Sequence, residues 1–238
     1  MRPIPKRLDA CMAINRYITD RDTMADLIRQ DYNILPVISR FNIPLGVGNK
    51  NIAQVCEQAG VNKRVFLMVV NFMLTSHVDV GEAKESDIIG IVDFLHNSHT
   101  YFLDYKFPHI RTNLQNALDA AHPDINPAIM QFFDDYVEQV KLHFAYEENT
   151  VFPYVRSLIN GETSSYNIEI FRKHHDEVSV KLTDLKNIIL LYYTTTKPDK
   201  MYDALVDIFN CEADLESHAD IENHILVPAI STIERVRK

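Results

Sequence analysis

The chain has 238 residues, 46% hydrophobic and 24% charged, proportions ordinary for a soluble globular protein with room for one large domain or a small one beside a medium one. A formal net charge of −9 opposes nucleic-acid binding except through a local basic patch. The longest apolar run, near Ile188 to Tyr193, is too short to span a bilayer, so no membrane partner is expected.

Six glycines in the whole chain favour helices over a turn-rich β fold. The charged start, Met1 to Arg7, is followed by no hydrophobic leader region. Cys11, Cys56 and Cys211 match no zinc or disulfide spacing, and a reducing cytoplasm is the expected location.

Residues 1–80 read as a small helical N-terminal domain. Helices are expected over Asp22–Gln30, Asn33–Phe41, Asn51–Ala59 and Lys63–Ser76, with a loop over Asn42–Asn51 and a cap at Gly60. From residue 81 to 238 the pattern changes to long amphipathic helices, at roughly 86–120, 125–159, 166–195 and 199–236. His122-Pro123, Asn160-Gly161 and Lys197-Pro198 break them. Four long helices with short connections predict an all-α, up-down-up-down four-helix bundle. Pro108, inside the first, should kink or split it.

Each helix carries one apolar stripe, and each stripe contains a histidine. The first reads Ile88, Val92, Leu95, His99, Phe102; the second, Phe133, Tyr136, Val140, His143, Glu147. The third runs Ile168, Phe171, His175, Val178, Leu182, Leu185, Ile189, and the fourth Ile208, Cys211, Leu215, His218, Glu222, Ile225. His143, Glu147 and Pro153 recur 75 residues later as His218, Glu222 and Pro228, and His99 recurs 76 residues later as His175. Each half of the bundle is therefore a hairpin giving one histidine from its first helix and His-x-x-x-Glu from its second.

That spacing puts histidine and glutamate on one helix face, a turn apart. A single inward histidine is ordinarily a hydrogen-bonded core residue, but two pairs in register with two further histidines point to metal. Buried glutamates are costly without compensating charge, which a pair of cations would supply. Imidazole and carboxylate donors suit iron, zinc or manganese. Two six-coordinate ions offer roughly a dozen ligand positions, of which four histidines and two bridging glutamates fill about eight. The remainder would hold an oxo or hydroxo bridge and an exchangeable small ligand. The predicted ligands are His99, His143, Glu147, His175, His218 and Glu222, and His96, one turn before His99, is a competing ligand or outer donor. Glu148 and Asn223 are candidates for outer hydrogen bonds; Tyr101, Tyr105 and Tyr146 could lie near the ions, but core packing is their expected role.

The segments 142–154 (LHFAYEENTVFPY) and 215–229 (LESHADIENHILVPA) resemble the paired motifs of the hemerythrin HHE domain family. Phe171–Val180 is similar to that family's third-helix motif, in which the histidine before an aspartate binds metal, here His175 before Asp176. Thr23–Pro44 is similar to the N-terminal domain of the iron–sulfur cluster repair di-iron proteins. That subfamily carries a Cys-Cys-Gly-Gly-like loop where this chain has Leu45-Gly46-Val47-Gly48, so both cysteines are missing. The resemblance implies two iron ions, a nitric oxide, oxygen or peroxide ligand, a role in nitrosative or oxidative stress, and damaged iron–sulfur proteins as partners. Two other functions compete: an oxygen-binding or oxygen-sensing protein without turnover, and a regulator reading DNA through a helix-turn-helix at Ile52–Phe72, with Lys63 and Arg64 opening its second helix.

Overall fold

The computed structural model describes residues 17–81, 83–174 and 181–237. The expectations for His175 and Val178 lie outside them. The described residues form helices, with no strand beyond one isolated bridge.

The N-terminal helices follow their caps. Thr23 Oγ1 accepts the Asp26 N–H and opens α1 (Met24–Gln30). Asp31 caps a 3₁₀ turn, Tyr32–Ile34, that leads into α2 (Leu35–Arg40). Asn51 and Gln54 form a reciprocal capping box at α3 (Ile52–Ala59), which Gly60 ends at φ +67°. Asn62 caps α4 (Lys63–Thr75). The cap residues of α1 and α3 pair as a bridge: Met24 N–H donates to Lys50 O at 3.2 Å and Ile52 N–H to Asp22 O at 2.9 Å. Buried Asn71 on α4 holds the segment before α1, exchanging hydrogen bonds of 2.7 and 2.9 Å with the Ile18 backbone.

The first long rod is α5 (Glu85–Thr100), a π turn (Tyr101–Lys106) and α6 (Phe107–Ala117). The second is α7 (Asn126–Tyr146), a π turn (Glu147–Val151) and α8 (Phe152–Ile159). The third supplies α9 (Ile168–His174) and α10 (Lys181–Tyr192). The fourth is α11 (Pro198–Ile221), a π turn (Glu222–Leu226) and α12 (Val227–Val236). Packing of α6 on α7, α5 on α8, α10 on α7 and α11, α9 on α12, and α6 on α11 makes neighbouring rods antiparallel, in up-down-up-down order.

The π turns were read from the sequence only as a kink at Pro108. Each runs into a proline at the second position of the next α segment, Pro108, Pro153 or Pro228. Proline has no N–H to return to the carbonyl four residues back. The preceding residue's N–H instead reaches back five: Phe107 to Phe102 O, Phe152 to Glu147 O, Val227 to Glu222 O. The rods stay continuous, and each gains a local register shift at the same level of the bundle.

Two apolar cores lie on either side of that level. One joins α6, α7, α10 and the first half of α11, with Phe102, Phe107, Phe133 and Phe144 among its largest members. The other joins α5, α8, α9 and α12 to the N-terminal helices, bringing Met24, Ile38 and Phe66 together with Phe94, Phe152 and Ile230. The expected boundary near residue 80 falls between α4 and α5, yet apolar residues from both sides fill this one core.

The helix-turn-helix layout is present, but α4 is a core helix. Val65, Phe66, Val69, Val70 and Phe72 are buried, and α4 packs on α5 and α11. Lys63 pairs with Asp20 at 2.6 Å and Arg64 with Asp87 at 3.1 Å. The helix that would enter a DNA groove is therefore committed to the interior, against the regulator reading.

Asp119 ties the loop after α6 to the loop before α11. Its carboxylate accepts the Ala121 N–H at 3.0 Å, the Thr196 N–H at 2.7 Å and the Thr196 hydroxyl. The Thr196 hydroxyl, then the Ala121 and Thr196 amides, hold its pKa down at about 2. A carboxyl depressed on folding stabilises the fold above its unfolded value, and that contribution is lost as pH falls through about 2. Asp119→Asn is expected to lower the melting temperature at pH 7 and to flatten the loss of stability between pH 4 and pH 2, followed by circular dichroism.

Candidate metal centre

Between the two cores sits a polar layer. His99 comes from the last turn of α5, His218 from the last turn of α11, and Glu147 and Glu222 open the π turns of the second and fourth rods. All four are buried, and one ligand atom from each lies within 4.8 Å of the others. His143 reaches Glu147 across one turn, Nε2 to Oε1 at 2.7 Å, and His218 approaches Glu222 in the same way at 3.3 Å. The sequence repeat thus reappears as two matching His–Glu pairs.

The contacts among these groups are close but poorly aligned for hydrogen bonding. His99 Nε2 stands 2.9 Å from Glu147 Oε2. Even so, His99 Nε2, both Glu147 carboxylate oxygens and both His218 ring nitrogens find no hydrogen-bond geometry. Buried polar atoms are almost always satisfied, because leaving one unmade costs about 1–3 kcal/mol and more for a charge. Nitrogens and oxygens that converge without bonding one another form the donor set of a cation. The residues present therefore fit a metal.

His99 is oriented from behind. Its Nδ1 donates to Glu148 Oε1 at 2.7 Å, which leaves Nε2 as the inward donor atom. Phe144 stacks on its ring at 4.1 Å and Phe152 lies parallel on the other side at 5.5 Å. Burial alone would lower the imidazole pKa; the close Glu147 carboxylate, the hydrogen bond to Glu148 and the Glu222 charge outweigh it and raise it to about 9. A cation entering the site displaces that proton.

His96 has its side chain 56% exposed and shares Glu148 Oε1 at 2.9 Å, so it stands outside the buried group as an outer contact. Of the predicted set, His99, Glu147, His218 and Glu222 converge, His143 adjoins Glu147, and His175 lies outside the described residues. Of the tyrosines, Tyr101 and Tyr146 pack against the two apolar cores as expected and Tyr105 does not. Tyr105 is exposed and stacks on His109, while Tyr146 is hydroxyl-bonded to Tyr166 at 2.8 Å. Tyr101 lies under the guanidinium of Arg40, which the sequence did not single out.

A cavity of about 70 Å³ abuts the layer, lined by Tyr136, Val140, His143, Leu215, His218 and Glu222 among others. A single water needs roughly 10–15 Å³ of such space, so this cavity has room for a small molecule of a few heavy atoms. Cys56 and Cys211 are buried away from solvent; burial raises the Cys56 thiol to about 11 and pushes Cys211 up as well, so neither is poised as a thiolate at neutral pH.

The family model for the hemerythrin HHE cation binding domain matches residues 90–230, more than half of the chain and all four converging residues. No curated protein and no solved structure matches the chain.

Glu148→Ala frees the back of the His99 ring. It is expected to weaken cation binding roughly tenfold to a hundredfold, the usual effect of losing such an outer partner. A titration of metal-free protein with ferrous iron or zinc checks this, and an unchanged affinity would remove Glu148 from the account.

Proposed function

The chain belongs to the hemerythrin HHE cation-binding domain family, and on that premise we propose that it is a non-haem di-iron protein that binds a small ligand, nitric oxide, oxygen or peroxide. The supporting observation is the set of buried, converging and unaligned donors His99, Glu147 and His218 with Glu222 beside them. The ligand set of this reading is His99, His143, Glu147, His175, His218 and Glu222. Iron is favoured over zinc or manganese because a carboxylate-bridged pair suits its six-coordinate preference.

The bound ions would supply Lewis acidity and one-electron chemistry to a ligand in the adjoining cavity. The residues do the rest. Glu147 and Glu222 bring two negative charges into the apolar interior to offset the cations. Glu148 fixes which nitrogen of His99 faces inward. Phe144 and Phe152 exclude water from that ring. Val140, Phe144 and Leu215 give the cavity an apolar wall, and Glu212 and Glu216 also line it.

A cytoplasmic role in nitrosative or oxidative stress, including repair of iron–sulfur clusters, is the physiological form of this proposal. The loop Leu45–Gly48 carries no thiol, so cluster repair by this chain would draw on the bundle centre rather than on an N-terminal cysteine pair. A second reading, reversible oxygen binding or sensing without turnover, draws on the same small cavity and is distinguished by its ligand.

Purified full-length protein is expected to hold about two irons per chain and to show near-ultraviolet bands of a bridged ferric pair. Glu147→Ala or His218→Ala should abolish both. Diferrous protein that takes up nitric oxide and restores a damaged cluster enzyme supports the stress reading. A reversible optical change on cycling oxygen, with no repair, supports the second. Metal-free, fully folded protein whose stability ignores both substitutions would falsify the metal reading altogether.

A further inference from the structure

Arg40 is the last residue of α2, and its side chain is 1% exposed. It enters the bundle from the N-terminal helices and pairs with Asp214 on α11, whose side chain is 16% exposed. Asp214 lies one turn before His218. The guanidinium carbon sits 4.6 Å from the ring centre of Tyr101 and 4.9 Å from that of Phe102, the first two residues of the π turn that follows α5 and His99. Phe102 in turn stands edge-on to the His218 ring at 6.0 Å. The Arg40 carbonyl accepts the Asn97 side-chain N–H at 2.8 Å, two residues before His99. One residue therefore touches both helices that carry the buried histidines, with a single aromatic ring between its charge and His218.

Replacing such a buried pair by apolar groups is often neutral for stability, so stability gives it no evident purpose. Its location supplies another. In low-dielectric surroundings a fixed cation and a fixed anion act over longer distances than in water. We propose that the Arg40–Asp214 pair is a positioning and electrostatic element of the metal centre, through which the N-terminal helices set the centre's reduction potential. This inference rests on the metal-centre reading. Asp214 couples to α11 and His218, and Arg40 to the π turn after His99. Loss of the cation favours the more oxidised, more positive state of the ions; loss of the anion favours the reduced state.

The test uses the full chain loaded anaerobically with ferrous iron, comparing the unmodified protein with Arg40→Met and Asp214→Asn by spectroelectrochemical titration. Arg40→Met is expected to lower the midpoint potential and Asp214→Asn to raise it, with the double variant returning towards the unmodified value. Opposite shifts are an electrostatic signature that a general loosening of the fold does not produce. Shifts of the same sign, or none in protein with full metal content, overturn the inference. Should one single variant fail to fold, the sign given by the other decides. If the unmodified chain takes up no iron, the metal-centre reading falls and this inference with it; iron uptake without the shifts overturns the inference alone.

Discussion

Two carboxylates, Glu147 and Glu222, are fully buried halfway along a helical bundle. Isolated ionised carboxylates in an apolar interior are among the most expensive groups a fold can contain. Everything around them bears on that cost. Histidines from three helices crowd the same layer, π turns open at both glutamates, and aromatic rings close over His99. A core chosen for stability alone would hold leucine or phenylalanine there, as the cores above and below it do. The layer is the place where the sequence gives up packing for coordination.

The π turns are part of the same bargain between backbone and site. A proline six residues after each glutamate removes one helical N–H, and the chain answers with a bond from the next available donor to the fifth residue back. The carbonyls that accept those bonds belong to Glu147 and Glu222 themselves. Backbone conformation and side-chain placement are thereby fixed at one residue, which leaves the carboxylates little freedom to swing out of the layer.

Much of this was legible in the sequence because it is periodic. His143 with Glu147 and His218 with Glu222 lie four residues apart, and the stripe through Ile88, Val92, Leu95 and Phe102 carries His99 in step; these local spacings become shared faces of helices. The ambiguity between His96 and His99 could be resolved only by the rotation of α5, which places one outside and the other inside. Arg40 and Asp214 stand 174 residues apart, and no periodicity connects them. The same holds for the burial of α4: its sequence has the layout of a groove-reading helix, and only the packing of α5 and α11 against it shows that this face is taken. What was missed depends on long-range contacts, which a single sequence does not display.

The core shared by the N-terminal helices and α12 has a bearing on how the chain acquires its structure. Met24, Ile38 and Phe66 belong to one apolar core with Ile225, Leu226 and Ile230, across almost the whole sequence. The first helices pack on α5, the next helix of the chain, and on α11, while the rest of their shared core comes from later segments. Until those segments join, the first helices carry exposed apolar faces and a buried-to-be arginine without its anion. The entropy of closing that long loop grows only slowly with its length, but it must be met before the shared core can form. Completion of that core is therefore expected to be a late event in folding.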